Sequence, residues 1–263
     1  MISEIYLPKT RLAEAVDCFY INRAESFETR SWAMPMVQQE VFFNLGDVFE
    51  VCDPSGTYPI TQKDSWVSGI RTKPLQVYTQ GRHLTVGILF KPWGLYQAFG
   101  INARELSNQS VEVSVILGTS FSQFVQEQAR LLPPGEFLAA LEQYLLRSYQ
   151  ARRIKNQVLE QVEKLDYTGF EKGTMSQLAR QLHLSPKTVI DTFNTTLGIS
   201  PVRYFHLRMV NRALRQIRQH PERSLTEIGL ELGFFDQAHF IRVFKSFCGM
   251  SPRAYRKSLQ VPA

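Results

Sequence analysis

The sequence predicts an α+β chain, in which a β-rich, barrel-like half with following helices leads into an all-α half. Three observations carry this reading. Strand-like runs separated by turn residues precede "LGTS", helical periodicity follows from Phe121, and one supersecondary unit occurs twice after Ile154. With 263 residues the chain is long enough for two or three modest domains. The expected division is 1–150 and 151–263, with "QARRIKNQ" (150–157) as the boundary. That stretch has no Gly/Ser-rich character and reads more as a helix start than as a loose linker.

The strands come first. "QQEVFFNLGDVFEV" is rich in Val and Phe and carries a Leu-Gly-Asp turn signal, and "PLQVYTQGRHLTVGILF" reads as two short strands about a Gly-Arg turn. Turn residues also cluster at "DPSGTYP" (53–59) and "FKPWG" (90–94), and short strands so divided suggest a sandwich or small barrel. Two helices broken by Pro133-Pro134 are expected next, at about 120–149. Phe121, Phe124 and Val125 lie on one stripe, and Phe137, Leu138, Leu141, Tyr144 and Leu145 on another. These stripes can cover the barrel or pair with a second copy. A homodimer formed through them is the expectation.

Charge is divided unevenly. Residues 151–263 hold 18 Lys and Arg against 9 Asp and Glu, whereas residues 1–150 hold 12 against 15. A basic half beside a near-neutral one points to an anionic partner for the former, and nucleic acid fits better than a membrane surface. The chain has no apolar run of 18 residues and no signal-like segment at Met1, so a soluble cytoplasmic protein is expected. Cys18, Cys52 and Cys248 are too few and scattered for a disulfide framework or a four-cysteine zinc site, and read as buried free thiols.

The repeat is defined by "LGISPVRYF" from Leu197 and "CGMSPRAYR" from Cys248. Gly198, Ser200 and Pro201 recur as Gly249, Ser251 and Pro252, and Phe193 recurs as Phe244, always 51 residues on. Upstream the offset is 50, with Ala179 matching Gly229 and Leu182 matching Leu232, so one residue is inserted in the turn between the helices. In the second copy Leu225, Ile228 and Leu232 form one inward face, Gly233 stops the helix, and Asp236 caps the next. Phe240, Val243, Phe244 and Phe247 then face inward. Gln237, Ala238, Ile241, Arg242 and Lys245 project outward.

Two short helices with a tight turn and a basic outer face on the second make a helix-turn-helix, which places its second helix in the DNA major groove. The first copy is expected at about 174–197, with "MSQLARQLHL" as its first helix and a Ser185-Pro186 cap on its second. There Val189 and Phe193 face inward, and Lys187, Thr188, Ile190, Asp191 and Asn194 outward. A long helix at about 201–219 joins it to the second copy at about 225–247. At 1.5 Å per residue that helix spans roughly 28 Å. The two recognition helices could then reach successive major grooves, roughly 34 Å apart.

This arrangement resembles the AraC/XylS family of transcription regulators over about residues 155–258. The second unit, "IGLELGFFDQAHFIRVFKSFCGMSPRAYR", is similar to that family's signature almost position by position, and "LARQLHLSPKTVIDTFNTTLGISPVRYFHLRMVNRAL" fits its weaker pattern. The resemblance implies a sequence-specific DNA-binding regulator with double-stranded promoter DNA as partner, and RNA polymerase as a second partner if it activates. Carried over by motif, Gln237, Ala238, His239, Ile241 and Arg242 are the second unit's readers. Lys187, Thr188, Ile190 and Asp191 take those places in the first. Asp191 departs from the basic residue many relatives carry, and a carboxylate is repelled by phosphates.

The first half resembles the β-rich sensor domain of some AraC-like regulators in "FNLGD" (43–47), "SGIRTKP" (68–74) and "GILFKPWGLYQAFGINARELSNQSVEV" (87–113). This implies a small-molecule effector or a dimerisation role, with Trp32, Trp66, Tyr78, Trp93 and Tyr96 as candidate pocket residues. An enzyme is the rival class. His83 is the only histidine of the first half, and the chain has no Gly-x-Ser-x-Gly, phosphate loop or His-Glu-x-x-His. A DNA-repair methyltransferase would need a cysteine cluster that Cys18 and Cys52 alone do not supply. No catalytic residue, cofactor or metal is expected.

Overall fold

The computed structural model describes residues 2–47, 49–52, 59–62, 65–149, 162 and 170–259, so the expected boundary at 150–157 lies outside the described residues. The N-terminal half is built on an antiparallel sheet. Strand β1 (Ile2–Tyr6) pairs with β2 (Val16–Ala33), and β2 with β7 (Leu75–Phe90). On its other side β7 carries β3 (Gln39–Asn44) along one stretch and β4 (Phe49–Cys52) along another. Beyond them lie β5 (Pro59–Gln62), on β4, and β6 (Ser65–Ser68), which joins β3 to β8 (Ser110–Glu112).

The Gly-Arg pair in β7 is a kink in one strand and not a turn between two. Gly81 takes a left-handed φ of 97°, Arg82 N–H donates to Asp47 Oδ2 at 2.7 Å, and the register with β2 shifts between Ala24 and Phe27. A Cβ on Gly81 would collide with the Asp47 carboxylate, so the strand bends here only because this residue lacks one.

Side chains alternate across the sheet with period two. Phe19, Ile21, Val41, Phe43, Val67, Val86 and Ile88 turn to one face and form a continuous core with the helices laid over it. These are α1 (Gly94–Phe99), α2 (Val113–Leu117), α3 (Thr119–Leu131) and α4 (Pro134–Ser148). Phe121, Val125, Phe137, Leu138, Leu141 and Leu145 all belong to this core. The apolar stripes of α3 and α4 therefore cover their own sheet, so a dimer through these helices would have to use their outer faces. The sequence leaves that choice open because a stripe's periodicity does not say what it packs against.

The C-terminal half is helical: α5 (Phe170–Gln181), α6 (Pro186–Leu197), α7 (Pro201–Gln219), α8 (Leu225–Glu231), α9 (Gln237–Cys248) and α10 (Pro252–Ser258). Helix α5 begins at Phe170, earlier than the "MSQLARQLHL" pattern suggests. The core of this half includes Ile70 and Trp93 from the sheet half, so the two halves share buried surface. Polar contacts reinforce the junction. The Asn211 carboxamide donates to Pro35 O at 2.7 Å and accepts from Val37 N at 3.1 Å, and Arg203 Nη2 donates to Thr72 Oγ1 at 2.9 Å.

Among the described residues no helix is long and apolar enough to cross a membrane. Cys248 is buried and its thiol pKa is pushed up to about 12 by burial, which suits an inert core thiol. Cys18 and Cys52 are half-buried, not buried as expected from sequence.

One buried carboxylate ties the sheet edge to the helices. Glu142 on α4 accepts from Tyr6 OH (2.9 Å), Lys9 N (2.9 Å), Thr10 N (2.8 Å) and Thr10 Oγ1 (2.7 Å). Burial works to raise its pKa, but these bonds outweigh it and hold the carboxyl below its ordinary value. A depressed folded pKa contributes stability above the unfolded value of about 4.3, and that contribution is lost as pH falls through the folded pKa. Glu142→Gln turns an amide donor toward existing donors and should cost about 2–3 kcal/mol near neutral pH. Urea melts of both proteins should converge as the pH drops through the carboxylate range. A gap that persists unchanged in acid would contradict this account.

Candidate nucleic-acid interface

The two helix-turn-helix units use the same local chemistry with different residues. Asp236 caps α9 by accepting from His239 N at 2.7 Å, and Ser185 caps α6 by accepting from Thr188 N at 3.1 Å. Both turns reverse through a left-handed residue, Gly233 (φ 88°) in the second unit and His183 (φ 52°) in the first. Packing between paired helices is maintained by compensation of size. A Cβ on Gly229 would come within 3.0 Å of the Phe240 ring, while the equivalent positions of the first unit hold Ala179 and Val189. A larger residue on one helix is matched by a smaller one on its partner.

On α9, Phe240, Val243, Phe244 and Phe247 are buried, and Gln237, Ala238, Ile241, Arg242 and Lys245 are exposed. His239 departs from this pattern. It is only 6% exposed, with its ring 5.6 Å from Phe234 and 5.9 Å from His206 between ring centres. It packs inward beside Phe240 and is not on the reading face, because the residue three past the cap lies over the preceding turn. On α6, Lys187, Ile190 and Asp191 are exposed. Thr188 is half-buried, its hydroxyl 2.8 Å from Ser185 Oγ, so its side chain is partly occupied in the cap.

The arginines of α7 are divided between tasks. Arg203 reaches Thr72 and lies 5.3 Å over the Phe247 ring, inside the junction of the halves. Arg208, Arg212, Arg215 and Arg218 line a cleft of about 1040 Å³ against the sheet half. The exposed basic residues Lys187, Arg242 and Lys245 thus stand on helices with outward polar faces, which suits phosphate and base contacts.

The five aromatic pocket candidates do not converge. Trp66 lines a cavity of about 590 Å³ on the face of the sheet away from the helices. Trp32 lines the arginine-rich cleft instead. Trp93 is buried in the core shared with the helical half, with Tyr96 packed against it, and Tyr78 hydrogen-bonds to Glu28 and Gln80. Trp93 and Tyr96 therefore serve packing at the junction.

The cavity's polar groups are ones that the sequence reading missed. Tyr20 on β2 lies across Gly87 of β7, whose missing side chain leaves room for the ring, and its hydroxyl donates to Glu40 Oε1 on β3 at 2.6 Å. Glu40, Ser68 and Ser110 stand opposite one another on β3, β6 and β8, and Arg71 Nη2 donates to Ser110 Oγ. The only signal in the sequence was a carboxylate among apolar residues in "QQEVFF".

This geometry defines a β-sheet half joined to a double helix-turn-helix half. Comparison with known proteins agrees with that class. Residues 178–258 match the family described as "Helix-turn-helix domain", and residues 4–112 match "Domain of unknown function (DUF6597)". The arabinose operon regulatory protein of Escherichia coli is 28% identical, over 44% of this chain and 42% of its own length. An uncharacterised HTH-type transcriptional regulator of Haemophilus influenzae is also 28% identical, over 46% of this chain and 39% of its own. A structure of ToxT from Vibrio cholerae aligns over 92% of this chain and 99% of its own, with 11% identity and a TM-score of 0.47. The chain spans about two fifths of the length of the first curated relatives it matches. Within its C-terminal half, residues 178–258 are thus similar to a helix-turn-helix domain.

The glycines that end the two recognition helices separate helix strain from docking. Gly198 and Gly249 both take left-handed φ, at 74° and 70°. A Cβ on Gly249 would make only ordinary contact with Pro74, whereas one on Gly198 would collide with the Ala103 carbonyl. Gly249→Ala should cost about 1 kcal/mol. Gly198→Ala should cost at least twice that and expose the junction to proteolysis, and equal losses in thermal melts would rule out the docking term.

Proposed function

We propose that this chain is a sequence-specific DNA-binding transcription regulator of the AraC/XylS type, controlled by a small molecule or other signal at its sheet half. The observation that carries the reading is the pair of helix-turn-helix units, each with a buried apolar face and an exposed polar one. Double-stranded promoter DNA is the partner, read chiefly by Gln237, Ala238, Ile241 and Arg242 with Lys245 on phosphate. Lys187, Thr188, Ile190 and Asp191 form the weaker first reading face. RNA polymerase is a further partner if the protein activates, and a homodimer would have to use a surface other than the buried stripes of α3 and α4. The reading assigns no catalytic step to the chain, and puts it in the cytoplasm with the DNA.

Selection of binding sites by the full chain from random duplex DNA, followed by fluorescence anisotropy, tests this. Affinity should fall steeply with salt as phosphate neutralisation releases counterions. Arg242→Ala should cost about 1–3 kcal/mol, concentrated at one base pair if it reads a base, or uniform with a salt slope smaller by about 1 if it holds phosphate. Asp191→Ala should leave binding unchanged or tighter. His239→Ala should lower the melting temperature without altering base preference. Absence of binding to the selected pool at low salt would sink the regulator reading.

A further inference from the structure

The cavity behind β3 and β6 has a composition that specifies a ligand. Its volume, about 590 Å³, lies in the range of small-molecule sites. Most of its wall is apolar, including Phe27, Phe42, Val51, Trp66, Val77 and Leu89. Phe42 and Trp66 stack across β3 and β6 at 4.3 Å between centres and 27° between planes, presenting flat aromatic surface. Such a surface favours a planar ring as its next layer.

Polar groups interrupt this wall in two places, at Asn22, His83 and Thr85 on β2 and β7, and at Glu40 and Arg71, where both signs of charge occur. Glu40 and Arg71 both line the cavity, each tethered on one side, Glu40 by the Tyr20 hydroxyl and Arg71 by Ser110. A carboxylate on a ligand would be drawn to Arg71 and opposed by Glu40, and an ammonium would meet the reverse. An uncharged head that donates to Glu40 and accepts from Arg71 satisfies both without burying a net charge. Burial raises the pKa of Glu40 and lowers that of Arg71, so both groups are already short of solvation.

The same walls touch the DNA-binding half. In the segment between β2 and β3, Met34, Met36 and Gln38 line the cavity while the backbone of Pro35 and Val37 is held by Asn211 of α7. After β6, Arg71 lines the cavity, Ile70 is buried in the helical core, and Thr72 accepts from Arg203 of α7. At both places a cavity contact and an α7 contact are adjacent residues.

We propose that this cavity binds an uncharged, planar aromatic molecule bearing a head that both donates and accepts hydrogen bonds, such as a carboxamide, and that occupancy is passed to α7 through segments 34–38 and 70–72. The regulatory part rests on the proposed role in transcription. The binding part does not.

The experiment uses the full chain without DNA and three probes of one shape: 2-naphthamide, 2-naphthoate and 2-naphthylmethylammonium. Calorimetry should show 2-naphthamide binding at least tenfold more tightly than either charged probe, with a rise in melting temperature that grows with its concentration. Glu40→Gln and Arg71→Met should each weaken it about tenfold or more. Tighter binding of a charged probe, or no binding of any, overturns the ligand class. With 2-naphthamide saturating, amide hydrogen exchange in α7 should change. That change should vanish in Asn211→Ala while binding persists, with Arg203→Gln as the second variant should Asn211→Ala fail to fold. Unchanged exchange in the native chain overturns the coupling and leaves the site standing. Failure of the regulator reading would appear separately, as loss of DNA binding in the anisotropy assay.

Discussion

One sheet in this protein has to serve two unlike surroundings, and strand alternation is the constraint that allows it. Residues such as Phe19, Val41, Phe43 and Ile88 are committed to the helices over one face. Their neighbours in sequence, Glu40, Phe42 and Leu89 among them, are thereby committed to the cavity on the other. A one-residue slip in register would exchange the two sets, burying Glu40 against α3 and α4 and opening Phe43 to the cavity. The register is fixed locally. Tyr20 crosses Gly87 to reach Glu40, and neither its ring nor that hydrogen bond survives a shift.

The helical half solves a different problem, holding two similar units at a set spacing. Their near-identity in caps and turns follows from short-range chemistry, which is why the repeat is visible in the sequence. Ser185, Asp236 and Ser251 each cap the helix that follows them, and Gly198 and Gly249 each end one. The differences lie where each unit meets its neighbours. Gly198 presses on the Ala103 carbonyl of the sheet half, while Gly249 meets only the Pro74 ring. At these two helix ends the first unit is therefore the more closely packed on the sheet half.

Legibility from sequence follows the same division between local and long-range causes. The long helix from Pro201 to Gln219, the caps and the inward phenylalanines depend on residues within a few positions of one another, and could be read directly. What an apolar stripe faces is not local, so the stripes of α3 and α4 left open whether they cover the sheet or a second copy. The burial of His239 was not legible for a related reason, since its place beside Phe234 and His206 depends on how α9 and the turn before it pack against α7. Aromatic content was a poor guide to the cavity, because Trp93 and Tyr96 were needed in the junction core. The informative residues there are an acid on β3, a base in the segment after β6 and a glycine on β7.

The junction explains why a sensor could act on these helices at all. A packed interface does not deform continuously, and hydrogen bonds across it add discrete arrangements. Asn211 spends both ends of its carboxamide on the backbone of Pro35 and Val37, and Arg203 is fixed by Thr72 on one side and the Phe247 ring on the other. Thr72 is itself pinned, donating its hydroxyl and amide hydrogens to Asn108 Oδ1. Movement of either segment by about 1 Å would break such bonds and force α7 to settle elsewhere. Because α7 follows α6 and precedes the second unit, a shift there would alter the spacing between α6 and α9 without changing the outer face of either.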